Sequence, residues 1–194
     1  TEADADDQAM LAAIQTFGGL DILVSNAGAA HAGPMLSISN DELRNAFELN
    51  FFSHYSFSTE AAKILKNQNR GGQILFNISK QAVNPGKNFG AYGLPKATTF
   101  FLMRQLALEL GSDGIRVNGI NADRIRSGLL TDDFISSRAK SRGVSETEYM
   151  AGNLLNKEVK AEHVANAFTS LACAESTTGH VMTVDGGNIE ASLR

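Results

Sequence analysis

The segment Tyr92-Gly-Leu-Pro-Lys96 carries the pair of residues best suited to moving a proton. A spacing of four residues puts both side chains on one face of a helix, where an ammonium group can lie near a phenol. A nearby cation lowers a tyrosine pKa toward the range that a general acid or base needs. The same pair, taken alone, is more often part of an exposed helical surface. Pro95 is expected only in the first turn of the helix, which predicts that Tyr92 stands near a helix start.

Hydroxyl and amide side chains elsewhere could complete a site around this pair. Ser79 stands thirteen residues before Tyr92 and could donate to a carbonyl oxygen, or it could simply satisfy a turn. The triplet Asn26-Ala27-Gly28 would let a flat ligand approach the backbone, although it is equally at home in any turn. Asn50 lies among apolar neighbours and is interpreted either as a structural bridge or as the holder of a water molecule.

Short apolar runs alternate along the chain with longer helical patterns, which is typical of parallel strands joined by helices. The predicted class is therefore α/β. The predicted strands are residues 20–25, 73–78, 115–120 and 180–184, and the predicted helices are residues 5–17, 39–65, 92–110 and 161–171. Ser39 and Glu42 have the form of a capping box, and Gly111 is expected to end a helix in the left-handed conformation.

Composition limits the class of partner. The 194 residues, 43% hydrophobic and 20% charged, suit one domain over residues 1–194. A net charge of -4 without any basic cluster argues against nucleic acid and anionic membrane and favours a small-molecule substrate. The single cysteine, Cys173, favours a reducing compartment such as the cytoplasm. No metal is predicted, because the histidines are too dispersed; they are His31, His54, His163 and His180.

Six elements of the sequence, taken in order, resemble the short-chain dehydrogenase/reductase family. Each is weak alone, whereas all six in the correct order and spacing make a strong pattern from about Thr1 to the C-terminus. They are Leu20-Asp-Ile-Leu-Val-Ser-Asn-Ala-Gly28, Asn50, Asn77-Ile-Ser79, Tyr92-x-x-x-Lys96, Arg116-Val-Asn118 and Thr178-Gly-His-Val-Met-Thr-Val-Asp-Gly-Gly187. Two more segments are similar to the dehydrogenase half of bifunctional aldolase/short-chain dehydrogenase proteins, namely Ser79-Lys-Gln-Ala-Val-Asn-Pro-Gly86 and Asn121-Ala-Asp-Arg-Ile-Arg-Ser-Gly-Leu-Leu130.

The resemblance implies a Rossmann-type, doubly wound parallel sheet and hydride transfer between a nicotinamide and a carbonyl or secondary alcohol. It makes Tyr92 the acid/base, Lys96 the group that lowers the tyrosine pKa and binds the nicotinamide ribose, and Ser79 the group that polarises the substrate carbonyl. Asn50 would hold a water molecule between the lysine and solvent. The implied cofactor contacts are Asn26, Ala27, Gly28, Tyr92, Lys96, Ile125 and Ser127.

One departure from the family pattern concerns the cofactor. Family members begin with a strand and a Thr-Gly-x-x-x-Gly-x-Gly turn whose N-H groups cradle the pyrophosphate. This sequence has no such motif and is expected to lack the first strands, since residues 1–8 look like the helix that follows the third family strand. We therefore expect the 194 residues alone to bind NAD or NADP weakly, and the missing segment to belong to the biological protein.

Two further departures lie near the expected site. Ala122-Asp123 replaces the family Pro-Gly, and Arg124 and Arg126 follow it. These arginines would either bind a carboxylate or phosphate of a substrate or pair with neighbouring acids, Asp123 and Asp132. Where many relatives have two serines, this chain has Ser79-Lys80. Spacing from Tyr92 favours Ser79 for the catalytic position, strand register favours Lys80, and Ser79 is chosen.

Two classes of function remain open. The first is a dehydrogenase that uses NAD rather than NADP by a small preference and acts on a small polyhydroxylated alcohol or aldehyde, with or without a phosphate group. Residues 127–149 would be its mobile substrate-binding segment, as the resemblance implies. The second is a non-catalytic fragment or oligomerisation module, because the two long helices match the surfaces by which relatives assemble. A homodimer or homotetramer is expected in either case.

Overall fold

A sheet of four parallel strands forms the centre of the molecule, for which a computed structural model describes residues 5–188. The strands, in spatial order, are β1 (Ile22–Ser25), β2 (Gly72–Asn77), β3 (Ile115–Ala122) and β4 (Val181–Val184). Val24 pairs with Leu75, Ile74 with Val117, and Ile120 with Met182. The helices among these residues are α1 (Ala5–Phe17), α2 (Asn40–Phe47), α3 (Ser53–Gln68), α4 (Gly90–Leu110), α5 (Asp132–Arg142), α6 (Glu146–Met150) and α7 (Ala161–Cys173).

Helices pack on both faces of this sheet. Ile74 and Phe76 of β2 face the cluster formed with α3 and α4, in which Leu65 and Met103 are fully buried. The intervening Leu75 faces the opposite way, against α7. Alternate residues of one strand are therefore buried on opposite faces, as a doubly wound sheet requires. The predicted α/β class, the four strands and the parallel Rossmann-type arrangement are confirmed.

The predicted helix over residues 39–65 is divided by a π-helical turn, Glu48–Phe52, that joins α2 to α3. Asn50 lies in this turn, and its Nδ2 donates to the carbonyl oxygen of Ala46 at 3.1 Å. A side-chain donor thus binds a carbonyl that would accept from the backbone in an α-helix, and the turn widens. The capping box of Ser39 and Glu42 at the start of α2 is confirmed.

One prediction about local structure needs correction. Gly111 has φ -59 and begins a short 3-10 turn, whereas Gly114 takes the left-handed conformation with φ 70. The tight turn adds three residues before the chain reverses into β3. Residues 127–150 include two helices, α5 and α6, that share a small core with Ile135 and Met150 fully buried.

Within residues 5–188, no helix is long and apolar enough to cross a bilayer. Of the opening segment, residues 1–4 lie outside the described residues.

Candidate active site

A cavity of about 640 Å³ opens beside the carboxyl ends of β2 and β3. Four of the predicted site residues line it: Ser79 follows β2, Tyr92 lies in α4, and Ile125 and Ser127 follow β3. Side chains that are far apart in sequence meet here because parallel strands end at the same edge of the sheet. The cavity therefore brings together polar side chains that the family resemblance, rather than sequence spacing, predicted to be neighbours.

Tyr92 and Lys96 lie one turn apart on the buried face of α4, with exposed fractions of 7% and 2%. Tyr92 is the third residue of the helix, as predicted. The expectation for Pro95 is wrong, because it is the sixth residue and lies in the second turn. Proline there removes one backbone hydrogen bond, yet the helix continues to Leu110. Tertiary packing of a mostly buried helix outweighs that local loss.

Burial, rather than Lys96, sets the direction of the Tyr92 pKa in this structure, and the effect of the lysine on the phenolate stays a prediction. Burial raises the pKa of Tyr92 above 10.0, and a hydrogen bond with the Ser79 side chain opposes part of that rise. The Lys96 nitrogen lies 5.9 Å from the centroid of the tyrosine ring and is not among the causes of the shift. Tyr92 is therefore protonated at neutral pH, and the side chain that favours its ionised form is Ser79.

Within residues 5–188, the Lys96 ammonium contacts only neutral groups. Its Nζ donates to the carbonyl oxygen of Asn77 at 3.0 Å and lies 3.4 Å from Nε2 of His54. Burial lowers the pKa of Lys96 from 10.5 to about 8. The side chain remains a cation at neutral pH, held below the tyrosine by hydrogen bonds rather than by a carboxylate.

His54 is a residue of this site that the sequence reasoning missed. It is 1% exposed, and its Nδ1 lies 2.6 Å from Oγ of Ser25 at the end of β1. Burial, and then the charge of Lys96, lower the pKa of His54 from 6.5 to about 3. Because an ammonium only donates, Nε2 accepts from Lys96, which leaves Nδ1-H to donate to Ser25. A signal existed: His54 follows Asn50 at the helical spacing of four.

Asn50 acts as a bridge between the long helices and the loop after β1, one of its two predicted interpretations. Its Nδ2 donates to the carbonyl oxygen of Ala29 at 2.9 Å, and its Oδ1 accepts from Ala29 N-H at 3.3 Å. Its own carbonyl oxygen accepts from Thr99 Oγ1 at 2.7 Å. A Cβ on Gly28 would lie 2.8 Å from Asn50 Oδ1 and 3.6 Å from Lys96 Nζ, so glycine permits this close approach. The water-holding role stays a prediction.

The predicted cofactor contacts Asn26, Ala27 and Gly28 form the loop after β1, and their role toward a cofactor stays a prediction. All three are exposed and lie outside the lining of the cavity. Asn26 Oδ1 accepts from Nδ2 of Asn77 at 2.7 Å, which ties the end of β1 to the end of β2. Gly28 lies beside the buried lysine, so this loop reaches from the surface to Lys96.

The choice between Ser79 and Lys80 has a geometric counterpart. Ser79 is close enough to Tyr92 to form a side-chain hydrogen bond. The Lys80 Nζ lies 3.5 Å from Asp123, which also lies 3.4 Å from Nε of Arg124. Lys80 is therefore occupied by a carboxylate away from the phenol, and the arrangement favours Ser79. The chain bends sharply into a 3-10 turn after Ser79, so register extrapolated from Asn77 does not hold.

Arg124 and Arg126 pair with nearby acids, as one of the two predicted alternatives has it. Arg124 contacts Asp123, and its NH1 donates to the carbonyl oxygen of Tyr149 at 2.7 Å. Arg126 pairs with Asp132 and Glu158 on the surface. Neither guanidinium is left for a substrate without breaking an existing pair.

The residues around Lys96 leave space for a polar group beside its ammonium. Gly28 leaves room that a Cβ would fill, and within residues 5–188 no acid pairs with the lysine. Tyr92 and Ser79 supply two hydroxyl groups to the adjoining cavity. The arrangement can bind a carbonyl oxygen through both hydroxyls and transfer one proton to it.

Comparison with known proteins identifies the family. The family model described as Enoyl-(Acyl carrier protein) reductase matches residues 1–188. The uncharacterized oxidoreductase YuxG of Bacillus subtilis (strain 168) is 36% identical over 179 residues, which are 88% of this chain and 26% of that protein. The 7alpha-hydroxysteroid dehydrogenase of Escherichia coli (strain K12) is 32% identical over 180 residues, which are 92% of this chain and 67% of that protein. The chain thus spans about a quarter of the first relative and two thirds of the second.

A solved structure shares the fold. Carveol dehydrogenase from Mycobacterium avium, in complex with NAD, superposes with a TM-score of 0.88 at 23% identity, covering 96% of this chain and 71% of that one. The family model extends over nearly the whole sequence, and the second relative exceeds 30% identity over most of its own length. This chain therefore belongs to the short-chain dehydrogenase/reductase family.

Proposed function

We propose that this chain is the catalytic part of an NAD(P)-dependent dehydrogenase in which Tyr92 transfers the proton. The observation that carries the proposal is that Ser79 and Tyr92 line the same cavity, with Lys96 buried one helical turn from the phenol. Family membership supports the reaction class, and the geometry supports the assignment of roles.

In the reducing direction, the Tyr92 hydroxyl donates its proton to the substrate carbonyl oxygen as negative charge develops there. Ser79 donates a hydrogen bond to the same oxygen and holds it at the phenol. Lys96 stabilises the resulting phenolate by its charge, and a bound nicotinamide supplies the hydride. The raised pKa of Tyr92 suits this role, since the acid form is present at neutral pH. In the oxidising direction the phenolate takes the proton back.

In this proposal, a segment outside residues 1–194 binds the phosphates of the dinucleotide, because this sequence contains no Thr-Gly-x-x-x-Gly-x-Gly motif. Ile22 and Val24 of the edge strand β1 are about half exposed, which leaves an apolar surface that such a segment would cover. NAD rather than NADP remains the favoured cofactor. Membership in the bifunctional aldolase/short-chain dehydrogenase group is proposed on the sequence of residues 79–86 and 121–130. The cytoplasm is the proposed location, on the single free cysteine, Cys173.

Assembly into a homodimer or homotetramer is proposed through the exposed side of α4. Phe101 and Leu108, two turns apart on this helix, are 68% and 79% exposed. Large apolar side chains in such a row are typical of a helix that packs against a partner. The same surface supports the second candidate, an oligomerisation module without activity, and the test of Tyr92 separates the two.

Substitution of Tyr92→Phe in the native protein tests the proposal. The change removes the proton donor and keeps the ring, so turnover should fall by at least ~10²-fold. Steady-state NADH or NADPH formation measures this, with thermal unfolding to confirm that the fold is intact. Tyr55→Phe, at an exposed tyrosine on α3, is the matched control and should retain full activity. An active Tyr92→Phe enzyme would exclude the role assigned to the phenol.

A further inference from the structure

Basic side chains dominate the cavity that contains Tyr92. Although the whole chain carries a net charge of -4, the cavity is lined by a single acid, Asp123. The basic residues that line it are Lys80, Lys87, Arg124, Arg138 and Arg142. Asp123 contacts both Lys80 and Arg124 and balances only one of these two charges, which leaves a surplus of positive charge in the cavity. Clustered positive charge in a concave site raises the local concentration of anions.

Arg138 is the best prepared of these groups to receive an anion. Its Nε is buried and has no hydrogen-bond partner, and no ion pair involves its guanidinium within residues 5–188. A buried donor without a partner is destabilising, so a position of this kind suggests a ligand that is not part of the protein. The orphaned group lies on α5, on the wall of the cavity opposite the fold's central sheet.

Two aromatic rings fix the orientation of the Arg138 guanidinium. The guanidinium carbon lies 5.5 Å from the centroid of Phe89 and 5.9 Å from that of Phe134, and these two rings contact each other edge to face. Phe89 immediately precedes α4, and its carbonyl oxygen accepts from the backbone N-H of Tyr92 at 3.1 Å. The arginine is thus packed against the residue that precedes α4, the helix that carries the proposed proton donor.

Arg142 extends the positive surface by one helical turn. Its guanidinium lies 5.2 Å from the centroid of Tyr149, another residue of the cavity wall, and no ion pair among the described residues involves it. Together Arg138 and Arg142 can offer a planar fork and a second charge to a group with several oxygens. A neutral polyol would leave both charges unused.

We propose that the substrate of this site carries an anionic oxygen group, a carboxylate or a phosphate, which Arg138 and Arg142 bind while Tyr92 acts on a hydroxyl or carbonyl group elsewhere in the same molecule. The amide side chains of Asn77, Gln81 and Asn84 also line the cavity and suit the hydroxyl groups between the two ends. The substrate class is therefore a small hydroxylated acid or a phosphate ester. This inference rests on the proposed dehydrogenase function for the reacting end, and on α5 for the anionic end.

Substitution of Arg138→Met tests it, since methionine keeps an unbranched apolar stem between the two rings and removes the charge. For the native protein, kcat/KM should be measured with a sugar acid and its matching alditol, and with a sugar phosphate and its free sugar. The expected loss is ~10- to 100-fold for the anionic member of the preferred pair and within about threefold for its neutral counterpart. The pair that shows the larger ratio identifies carboxylate or phosphate.

Arg70→Met is the control, because Arg70 is exposed and pairs with Asp21 just before β1, at the end of the sheet away from the cavity. It should change neither kcat/KM value. If Arg138→Met fails to fold, Arg142→Gln at an exposed position takes its place, with a smaller loss of the same selectivity. Equal losses on charged and neutral substrates, or none, would overturn the proposal.

Calorimetric titration with inorganic phosphate and with oxalate keeps this test separate from that of the dehydrogenase function. Wild-type protein should bind one of the two anions with an affinity that falls with salt, and Arg138→Met should lose that binding. Anion binding in a protein without dehydrogenase activity would sink only the proposed function. Dehydrogenase activity without anion selectivity or binding would sink only the arginine subsite.

Discussion

Two groups of basic side chains flank Tyr92, and they differ in what surrounds them. Behind the phenol, Lys96 and His54 are almost fully buried, hydrogen-bonded to neutral partners, and have pKa values lowered to about 8 and about 3. Across the cavity, Arg138 and Arg142 face aromatic rings and have no anionic partner among residues 5–188. Lys96 and His54 are shielded from solvent and form hydrogen bonds, whereas Arg138 and Arg142 are charged and have no counterion among the described residues.

The difference teaches how one site separates proton transfer from recognition. Burial shifts the equilibrium of a lysine or histidine, because desolvation disfavours the charged form. A guanidinium resists that effect, because its charge is delocalised over three nitrogens. The basic groups whose pKa responds to packing therefore lie behind the phenol, and the arginines that keep their charge lie on the cavity wall.

The largest effect should come from Lys96→Met. Loss of the ammonium leaves the phenolate of Tyr92 without a stabilising charge in a buried site, so kcat should fall by ~10²- to 10⁴-fold. Stopped-flow or steady-state measurement of nicotinamide absorbance at saturating cofactor checks this. If the variant retains most of its kcat, Lys96 does not take part in proton transfer, and the contrast between the buried basic groups and the arginines does not hold.

The pH dependence of stability gives an independent check on Lys96. Its pKa is about 8 in the folded chain and 10.5 when solvated, so between these values the unfolded chain holds the extra proton. The free energy of unfolding contributed by this group therefore rises with pH from about 8 to 10.5. Urea unfolding should show that rise in the wild type and a flatter profile in Lys96→Met. Identical profiles would mean that burial does not shift this pKa.

An intermediate effect is expected from His54→Gln, which keeps a hydrogen-bonding side chain and removes the titration. The imidazole pKa is about 3 when folded and 6.5 when solvated, so in this window the unfolded chain binds the proton first. Wild-type stability is therefore lost as pH falls below 6.5, by up to about 1.4 kcal/mol per pH unit. The variant should lose less between pH 6.5 and 4.5, measured by urea unfolding at both values.

Acid unfolding of carboxylates affects both proteins equally, so the wild-type minus variant difference isolates the imidazole. His163→Gln, at an exposed histidine of α7, is the control and should follow the wild type. An equal loss of unfolding free energy in the wild type and in His54→Gln would show that His54 is solvated or charged. Lys96 would then be the one buried basic group of the comparison.

The smallest effect should follow Arg126→Gln. This arginine is exposed and paired with Asp132 and Glu158, so it belongs to neither group. Exposed ion pairs contribute little, and we expect kcat/KM within about twofold of wild type for charged and neutral substrates alike. A selective loss on anionic substrates would extend the recognition group from α5 to the loop after β3.

Strand and helix patterns predicted most of the fold, because buried strands and amphipathic helices leave clear periods in the sequence. Residues 73–78 alternate correctly between the two faces of the sheet, and the helix with Tyr92 and Lys96 has the predicted phase. The π turn was not predicted, because the residues on either side of it each keep a helical spacing and no glycine or proline marks the shift between them. The prediction for Gly111 was wrong because this glycine begins a 3-10 turn, Gly111–Asp113, and the left-handed conformation occurs at Gly114.

Within the site, residue types were easier to predict than their environments. Ser79, Tyr92, Ile125 and Ser127 lie around one cavity, but the direction of the tyrosine pKa shift depends on a depth of burial that spacing does not report. Arginine function was equally hidden. Arg124 and Arg126 looked available because they follow a strand, whereas the unpaired Arg138 lies on a helix in a polar segment whose small core is not visible from periodicity.

The widened turn at Glu48–Phe52 has a mechanical consequence for the interior of the protein. One additional residue rotates everything after it by ~100° about the helix axis compared with an uninterrupted α-helix. That rotation sets which side of α3 meets the sheet, and His54 comes directly after the turn. Deleting or inserting one residue in this turn would rotate the His54 imidazole away from the Lys96 ammonium. Helix content would hardly change, so circular dichroism would report a folded protein although the contact between His54 and Lys96 was lost.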